Sequence, residues 1–131
     1  MIVDSSAILA VLFGEPERDA FVDLLIDRDA RMSAASLTEA GIVADQRSPR
    51  LGRALDALVD QFDITVEPVT RRHAQLARTA YRRYGRGTGS PARLNFGDCL
   101  TYALASEAGE SLLFKGDDFT HTDLLFAHEG Y

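Results

Sequence analysis

Five acidic side chains in this sequence are placed where they could do chemistry together. Asp4 follows the apolar pair Ile2 and Val3, Glu39 comes shortly after the run from Met32 to Ala35, Asp98 lies just past Asn95, and Asp117 and Asp118 follow Leu112 to Phe114. In a parallel α/β sheet every strand ends on one edge, and ligands bind there. Each of these acids falls where a strand hands over or where a helix begins. Capping and the helix dipole favour an acid in a first helical turn by ~0.3–1 kcal/mol, so any one of them alone needs no further role. Asp4 is harder to explain that way, because a carboxylate near the middle of a central strand is costly unless something pairs with it. Four carboxylates brought together would also repel one another and raise their pKa values. A hard divalent cation, Mg2+ or Mn2+, removes that conflict: it takes oxygen ligands and leaves part of its shell for a substrate phosphate.

The basic residues are also unevenly spread. Between Pro68 and Gly97 there is no Asp or Glu, but there are seven arginines, Arg71, Arg72, Arg78, Arg82, Arg83, Arg86 and Arg93, half of the 14 basic residues in the chain. Tyr81 and Tyr84 lie among them. A solvated helix face usually mixes both signs. Arginines interleaved with tyrosines suit the backbone and bases of single-stranded nucleic acid, and Arg78, Arg82, Arg83, Arg86 and Arg93 are the candidates for RNA contact. An acidic, metal-neutralised pocket beside an arginine patch is what phosphodiester hydrolysis requires: a metal to activate water and offset phosphoryl charge, and cations to hold the strand.

The elements that must position these residues follow from hydrophobic spacing. Ile2 and Val3 predict a short buried strand leading into a helix with Ala7, Ile8, Leu9, Val11 and Leu12. Glu15-Pro16-Glu17 breaks the chain and starts a second helix bearing Phe21 to Ile26. Met32 to Ala35 predicts a strand, and Ser36 to Glu39 fits a capping box opening a helix through Val43 that ends at Ser48-Pro49. Leu51, Leu55, Leu58, Val59 and Phe62 predict an amphipathic helix whose apolar face could bury against a second copy of the chain. Ile64 to Val69 predicts a strand, and Ala74 to Tyr81 a helix. Gly85 to Asn95 has loop composition with no hydrophobic face; it lacks the Gly-Lys-Ser/Thr of a nucleotide-binding loop. Asn95 is placed to cap a helix through Ala105, Gly109 to end it, and Ser111 to Phe114 predicts the last strand, followed by a short element from Gly116 to Phe119. Short apolar strands alternating with helices predict a parallel sheet sandwiched between helix layers.

Length and composition agree with one α/β domain. The chain has 131 residues, 46% hydrophobic and 26% charged, which excludes a disordered or low-complexity segment. The net charge of −6 means that a polyanion must be met by a local patch rather than by bulk charge. Cys99 is the single cysteine, so no internal disulfide forms, which favours a reducing, cytoplasmic setting. It is expected to be a small buried hydrophobe. His73, His121 and His128 lack metal-site spacing and are expected at the surface. Asp4 interrupts the apolar N-terminus, which therefore reads as part of the fold and not as a signal peptide, and no run approaches a membrane span.

The residues together resemble a PIN-domain ribonuclease, the VapC-type toxin of a VapBC toxin–antitoxin pair. The resemblance covers nearly the whole chain and rests on Met1-Ile2-Val3-Asp4-Ser5-Ser6-Ala7, on Asn95-Phe96-Gly97-Asp98, and on Leu112 through Phe119. It implies a three-layer α/β/α fold and binding of Mg2+ or Mn2+ by Asp4, Glu39 and Asp98, with Ser6 as a supporting polar residue. Many members carry Thr-x-Asp after the fourth strand; this chain has Phe114-Lys115-Gly116 there, so Asp117 or Asp118 must supply the fourth carboxylate. The resemblance further implies a small cytoplasmic protein, usually a homodimer, whose cognate antitoxin blocks the metal site. The expected activity is metal-dependent endoribonuclease action on tRNA, rRNA or mRNA. The rivals are a non-catalytic RNA-binding or protein-interaction module of the same fold, and a receiver-like phosphoacceptor, which lacks its required second acid beside Asp4.

Overall fold

The computed structural model describes residues 1–128. Four short strands, β1 (Ile2–Val3), β2 (Arg31–Ser33), β3 (Thr65–Glu67) and β4 (Leu112–Leu113), form one parallel sheet in the order β3-β2-β1-β4. The chain first builds outward from β1 through β2 to β3, then returns to place β4 on the other side of β1. The reversal opens a crevice at the strand ends between β1 and β4, where such sheets bind ligands.

Side chains alternate across the sheet as the pleat demands. Val3, Met32 and Leu113 point to one face, where α1 (Ser5–Leu12), α2 (Arg18–Asp27), α3 (Ala34–Arg47) and α4 (Pro49–Gln61) bury Ile8, Phe21, Ala40, Ala44 and Leu55. Ile2, Leu112 and Phe114 point to the other, against α5 (Arg71–Tyr84) and α6 (Phe96–Ala108), with Ala80, Leu94, Ala103 and Leu104. The result is the expected three-layer α/β/α arrangement. Each large aliphatic side chain taken fully from water contributes roughly 1.5–3 kcal/mol, so strands of two or three residues suffice when both faces are covered.

Several expectations are corrected. The helix after β2 opens at Ser33, whose hydroxyl accepts the Ala35 N–H at 3.1 Å, so Ser36 and Glu39 form no capping box and Glu39 lies in the second turn. Ser36 has no cap to make because its hydroxyl is turned inward to Thr101. The apolar face of α4 is not left for a second copy: Leu55 and Val59 are buried, and Leu51, Leu58 and Phe62 pack against the same core. The segment from Gly85 to Asn95 does have an apolar anchor, since Ala92 and Leu94 are buried and Leu94 exchanges backbone bonds with Tyr84 and Arg86. His73 is buried, not superficial; it completes the capping box of α5 with Thr70 and reaches Glu107 at 2.8 Å. Residues 116–119 form turns rather than a helix or strand, after which Leu125 to Ala127 runs back beside Leu112.

Candidate active site

Asp4 ends β1 and is the N-cap of α1, so the local reason for its position is ordinary helix capping. Its surroundings go beyond capping. Oδ2 accepts both the Ser6 N–H at 3.0 Å and the Ser6 hydroxyl at 2.7 Å, while Oδ1 accepts the Thr101 hydroxyl at 2.7 Å from α6. An ionised carboxylate only accepts, so Thr101 spends its single proton on Asp4 and Ser36, 2.8 Å away, must donate to Thr101. The Ser6 oxygen in turn accepts the Lys115 N–H at 3.0 Å, tying the segment after β4 to the same carboxylate. Asp4 is 4% exposed. With two bonds on Oδ2 and one on Oδ1, a lone pair of Oδ1 stays free for a cation.

Asp98 stands at the third position of α6, in a reciprocal capping box with Asn95: its N–H donates to Asn95 Oδ1 at 2.8 Å and its Oδ2 accepts the Asn95 N–H at 3.0 Å. Burial pushes its carboxyl up to about 7, against the pull of the Asn95 N–H, and the charges of Asp4, Asp118 and Glu39 push in the same direction. The cap alone would have kept this acid ionised. Three further acids from three other parts of the chain reach it with their fields.

Glu39 projects from α3 with Oε1 held by the Ser5 hydroxyl at 2.6 Å. Its carboxylate occupies the space beside Gly97 that a side chain would need: a Cβ at that position would sit 2.5 Å from Glu39 Oε2. Glycine is therefore needed beside Asp98 for close approach. Asp117 and Asp118 are both exposed in the turn after β4. Asp118 is close enough to bear on Asp98, whereas the Asp117 carbonyl accepts from the N–H and hydroxyl of Thr120. Lys115 points away toward the α1–α2 connection, where its ammonium meets Glu15 and lies 3.1 Å from Glu17. Among the described residues, no three Asp, Glu, His or Cys side chains already surround one ion-sized point. The donor set nevertheless fits a hard cation in its chemistry: it is all oxygen, partly desolvated and mutually repelling at Asp98.

Sequence reasoning missed three residues here. Thr101 is a hydroxyl in the otherwise apolar run Cys99 to Ala105, one turn from Asp98, and that spacing was the available signal. Ser5 and Gly97 carried none beyond their neighbours. The arginines Arg78, Arg82, Arg83, Arg86 and Arg93 are all exposed on α5 and the following loop. Arg83 stacks over Tyr84, 4.8 Å from the ring centre, and lies 3.6 Å from Asp123, while Arg86 donates to the Arg93 carbonyl at 3.3 Å. Cys99 is buried as expected, and burial pushes its thiol up to about 11, which makes it inert as a nucleophile.

A short parallel sheet with acids at the edge where its strand order reverses defines an α/β domain with a candidate cation site, and the comparison with known proteins is specific. The chain belongs to the PIN-domain family, which matches residues 1–125. Within that family it is similar to the VapC ribonucleases. It is 56% identical over 124 residues to Ribonuclease VapC28 of Mycobacterium tuberculosis, covering 93% of each chain. It is 41% identical over 130 residues to Ribonuclease VapC of Mycolicibacterium smegmatis, covering 98% of this chain and 100% of the other. Its fold superposes on Mycobacterium tuberculosis VapC20, a toxin that cleaves the sarcin–ricin loop, with a TM-score of 0.78 at 19% identity over 98% of both chains. It likewise superposes on VapBC2 of Rickettsia felis, solved on a promoter DNA fragment, with a TM-score of 0.73 at 13% identity over 95% of this chain and 94% of that one.

Proposed function

We propose that this protein is a metal-dependent endoribonuclease, the toxin of a type II toxin–antitoxin module, and that its active site is the acidic crevice between β1 and β4. The single observation that carries the site assignment is geometric: the buried Asp4 carboxylate at the end of β1 is held by the Ser6 hydroxyl and by that of Thr101, one turn of α6 from Asp98, whose carboxyl burial and the charges of Asp4, Asp118 and Glu39 raise. Relatives at 56% identity named as ribonucleases support the reaction class, and toxin–antitoxin complexes of the same fold support an antitoxin partner.

Asp4 and Asp98 are the direct ligands in this reading, with Glu39 and Asp118 completing the shell or holding water near it. Mg2+ or Mn2+, when bound, supplies the Lewis acid that lowers the pKa of water and offsets charge on the phosphate. The chain does the rest. Ser6 and Thr101 hold Asp4, Ser5 holds Glu39, and the capping box holds Asp98, so each of these carboxylates is tethered through a hydrogen bond before substrate arrives. Glu39 and Asp118, the less buried of the four, are placed to hold the attacking water and to take up its proton. The arginines of α5 hold the RNA backbone across the crevice.

The protein acts in the cytoplasm in this reading, as one PIN domain that pairs with its own copy through a face other than that of α4. No helix among the described residues is long and apolar enough to cross a membrane. The test is purified protein with total RNA, with and without EDTA. Cleavage that needs Mg2+ or Mn2+ and is lost in Asp4→Asn, with circular dichroism unchanged, is the expected result. Undiminished cleavage by Asp4→Asn overturns the site, and RNA binding indifferent to chelator without turnover overturns the enzyme.

A further inference from the structure

Three of the four acids are each held by a hydrogen bond: Asp4 by Ser6 and Thr101, Glu39 by Ser5, and Asp98 by Asn95. The Asp118 carboxylate accepts none from the described residues, so its place near Asp98 depends on the turn that carries it. Both ends of that turn are anchored. Phe114 and Phe119 are buried with their rings edge to face, 5.3 Å between centres, and the Asp117 carbonyl accepts the Thr120 hydroxyl at 2.7 Å. Gly116, at φ +102°, supplies a backbone conformation that other residues rarely adopt.

Lys115 ties this turn to two other segments. Its N–H donates to Ser6 Oγ at 3.0 Å, and its ammonium meets Glu15 and lies 3.1 Å from Glu17 in the connection between α1 and α2. A fully solvated ion pair holds little in place. This one is partly buried, and Glu17 Oε2 is a buried atom with no hydrogen bond, so the Lys115 charge is what offsets it. Turning the ammonium toward an RNA phosphate would leave that oxygen unpaired.

We propose that Lys115 is a positioning residue for the cation site: by clasping Glu15 and Glu17 it holds the turn so that Asp118 stays beside Asp98. The inference rests on the ribonuclease reading and adds to it the contact that keeps the fourth acid in the set. Lys115 itself touches neither the ion nor the RNA. A lysine acting only through its charge has the opposite effect on a bound cation: it repels the ion, so its removal tightens metal binding. Loss of a tether loosens it.

The test is calorimetric titration of the whole protein with Mn2+ in the absence of RNA, with anisotropy of labelled RNA in EDTA and cleavage kinetics alongside. Lys115→Met should weaken Mn2+ binding about tenfold and lower kcat, with RNA affinity and KM kept, and Lys115→Arg should restore most of the loss. Asp118→Asn should weaken Mn2+ binding to a similar extent, and adding Lys115→Met to it should weaken binding no further. If Lys115→Met does not fold, Lys115→Gln combined with Glu15→Gln and Glu17→Gln leaves no charge unpaired at the contact and carries the same comparison. Unchanged or tighter Mn2+ binding without Lys115 overturns the proposal, as do additive losses with Asp118→Asn. Weaker RNA binding in EDTA with Mn2+ affinity intact makes Lys115 a phosphate contact and overturns it too. Wild-type protein that neither binds Mn2+ nor cleaves RNA overturns the ribonuclease reading, and the positioning role with it.

Discussion

The carboxyl of Asp98 titrates near 7 in the folded chain and near 3.8 unfolded, and that difference has a sign. Below about pH 4 both states keep the proton; between about pH 4 and 7 the unfolded chain gives it up while the folded chain holds it, so rising pH favours unfolding. The penalty is complete above about pH 7 and is removed by a cation. Thermal melts in EDTA should therefore show a lower midpoint at about pH 8 than at about pH 5. Mg2+ or Mn2+ should restore the midpoint at the higher pH, and Asp98→Asn should flatten the pH dependence. A midpoint insensitive to both would mean that neither burial nor the neighbouring acids raise the Asp98 carboxyl. Thr101 offers a second test at this scale. Thr101→Val keeps the shape but removes the hydroxyl that Asp4 accepts and leaves Ser36 without its buried partner, costing about 1–3 kcal/mol by denaturant titration. Cleavage should fall at least tenfold, with kcat affected more than KM, because the donor acts on Asp4 and not on the RNA.

Asp4 and Asp98 reach the site because a helix begins there for reasons of its own. Asp4 caps α1, Asp98 sits in the capping box of α6, and Ser48 serves α3 as its C-cap and α4 as its N-cap, with Pro49 setting the first turn. Ser48→Ala should cost about 1 kcal/mol of stability and leave cleavage per folded molecule unchanged, since α4 carries none of the acids. Gly97→Ala should do the opposite. The added methyl meets the tip of Glu39, a flexible side chain that swings aside cheaply, so the melting temperature stays close to wild type while cleavage drops by about tenfold or more. An unaltered rate in Gly97→Ala would remove Glu39 from the reaction. The Ser36–Glu39 pattern shows the limit of reading elements from local signals: Ser33 lies one turn earlier with an equally good cap, and the inward pull of Thr101 decided between them.

At the scale of the whole molecule, charge is divided. The chain carries −6 overall, yet seven arginines and no acid lie between Pro68 and Gly97, and the structure spreads them over α5 and the loop after it. RNA affinity should fall steeply with salt in spite of the net negative charge, and Arg78→Ala should lower the slope of log K against log salt by about 0.7, as one lost phosphate contact on a single strand does. A slope unchanged in Arg78→Ala would place the RNA elsewhere.

The α/β class, the three layers, the cap at Asn95 and the end of α6 at Gly109 were all legible in the order of residues. Apolar spacing and capping are local, and local patterns survive without knowledge of the fold. What tertiary structure alone decided was every relation between distant segments: that Thr101 and not only Ser6 orients Asp4, that Asp118 rather than Asp117 bears on Asp98, that α4 spends its apolar face on the core, and that Phe96 stands in water. These depend on strand order and on which faces meet, and no run of neighbouring residues encodes them, because the energy that selects them is shared among distant side chains, such as Asp4 and Thr101, 97 positions apart.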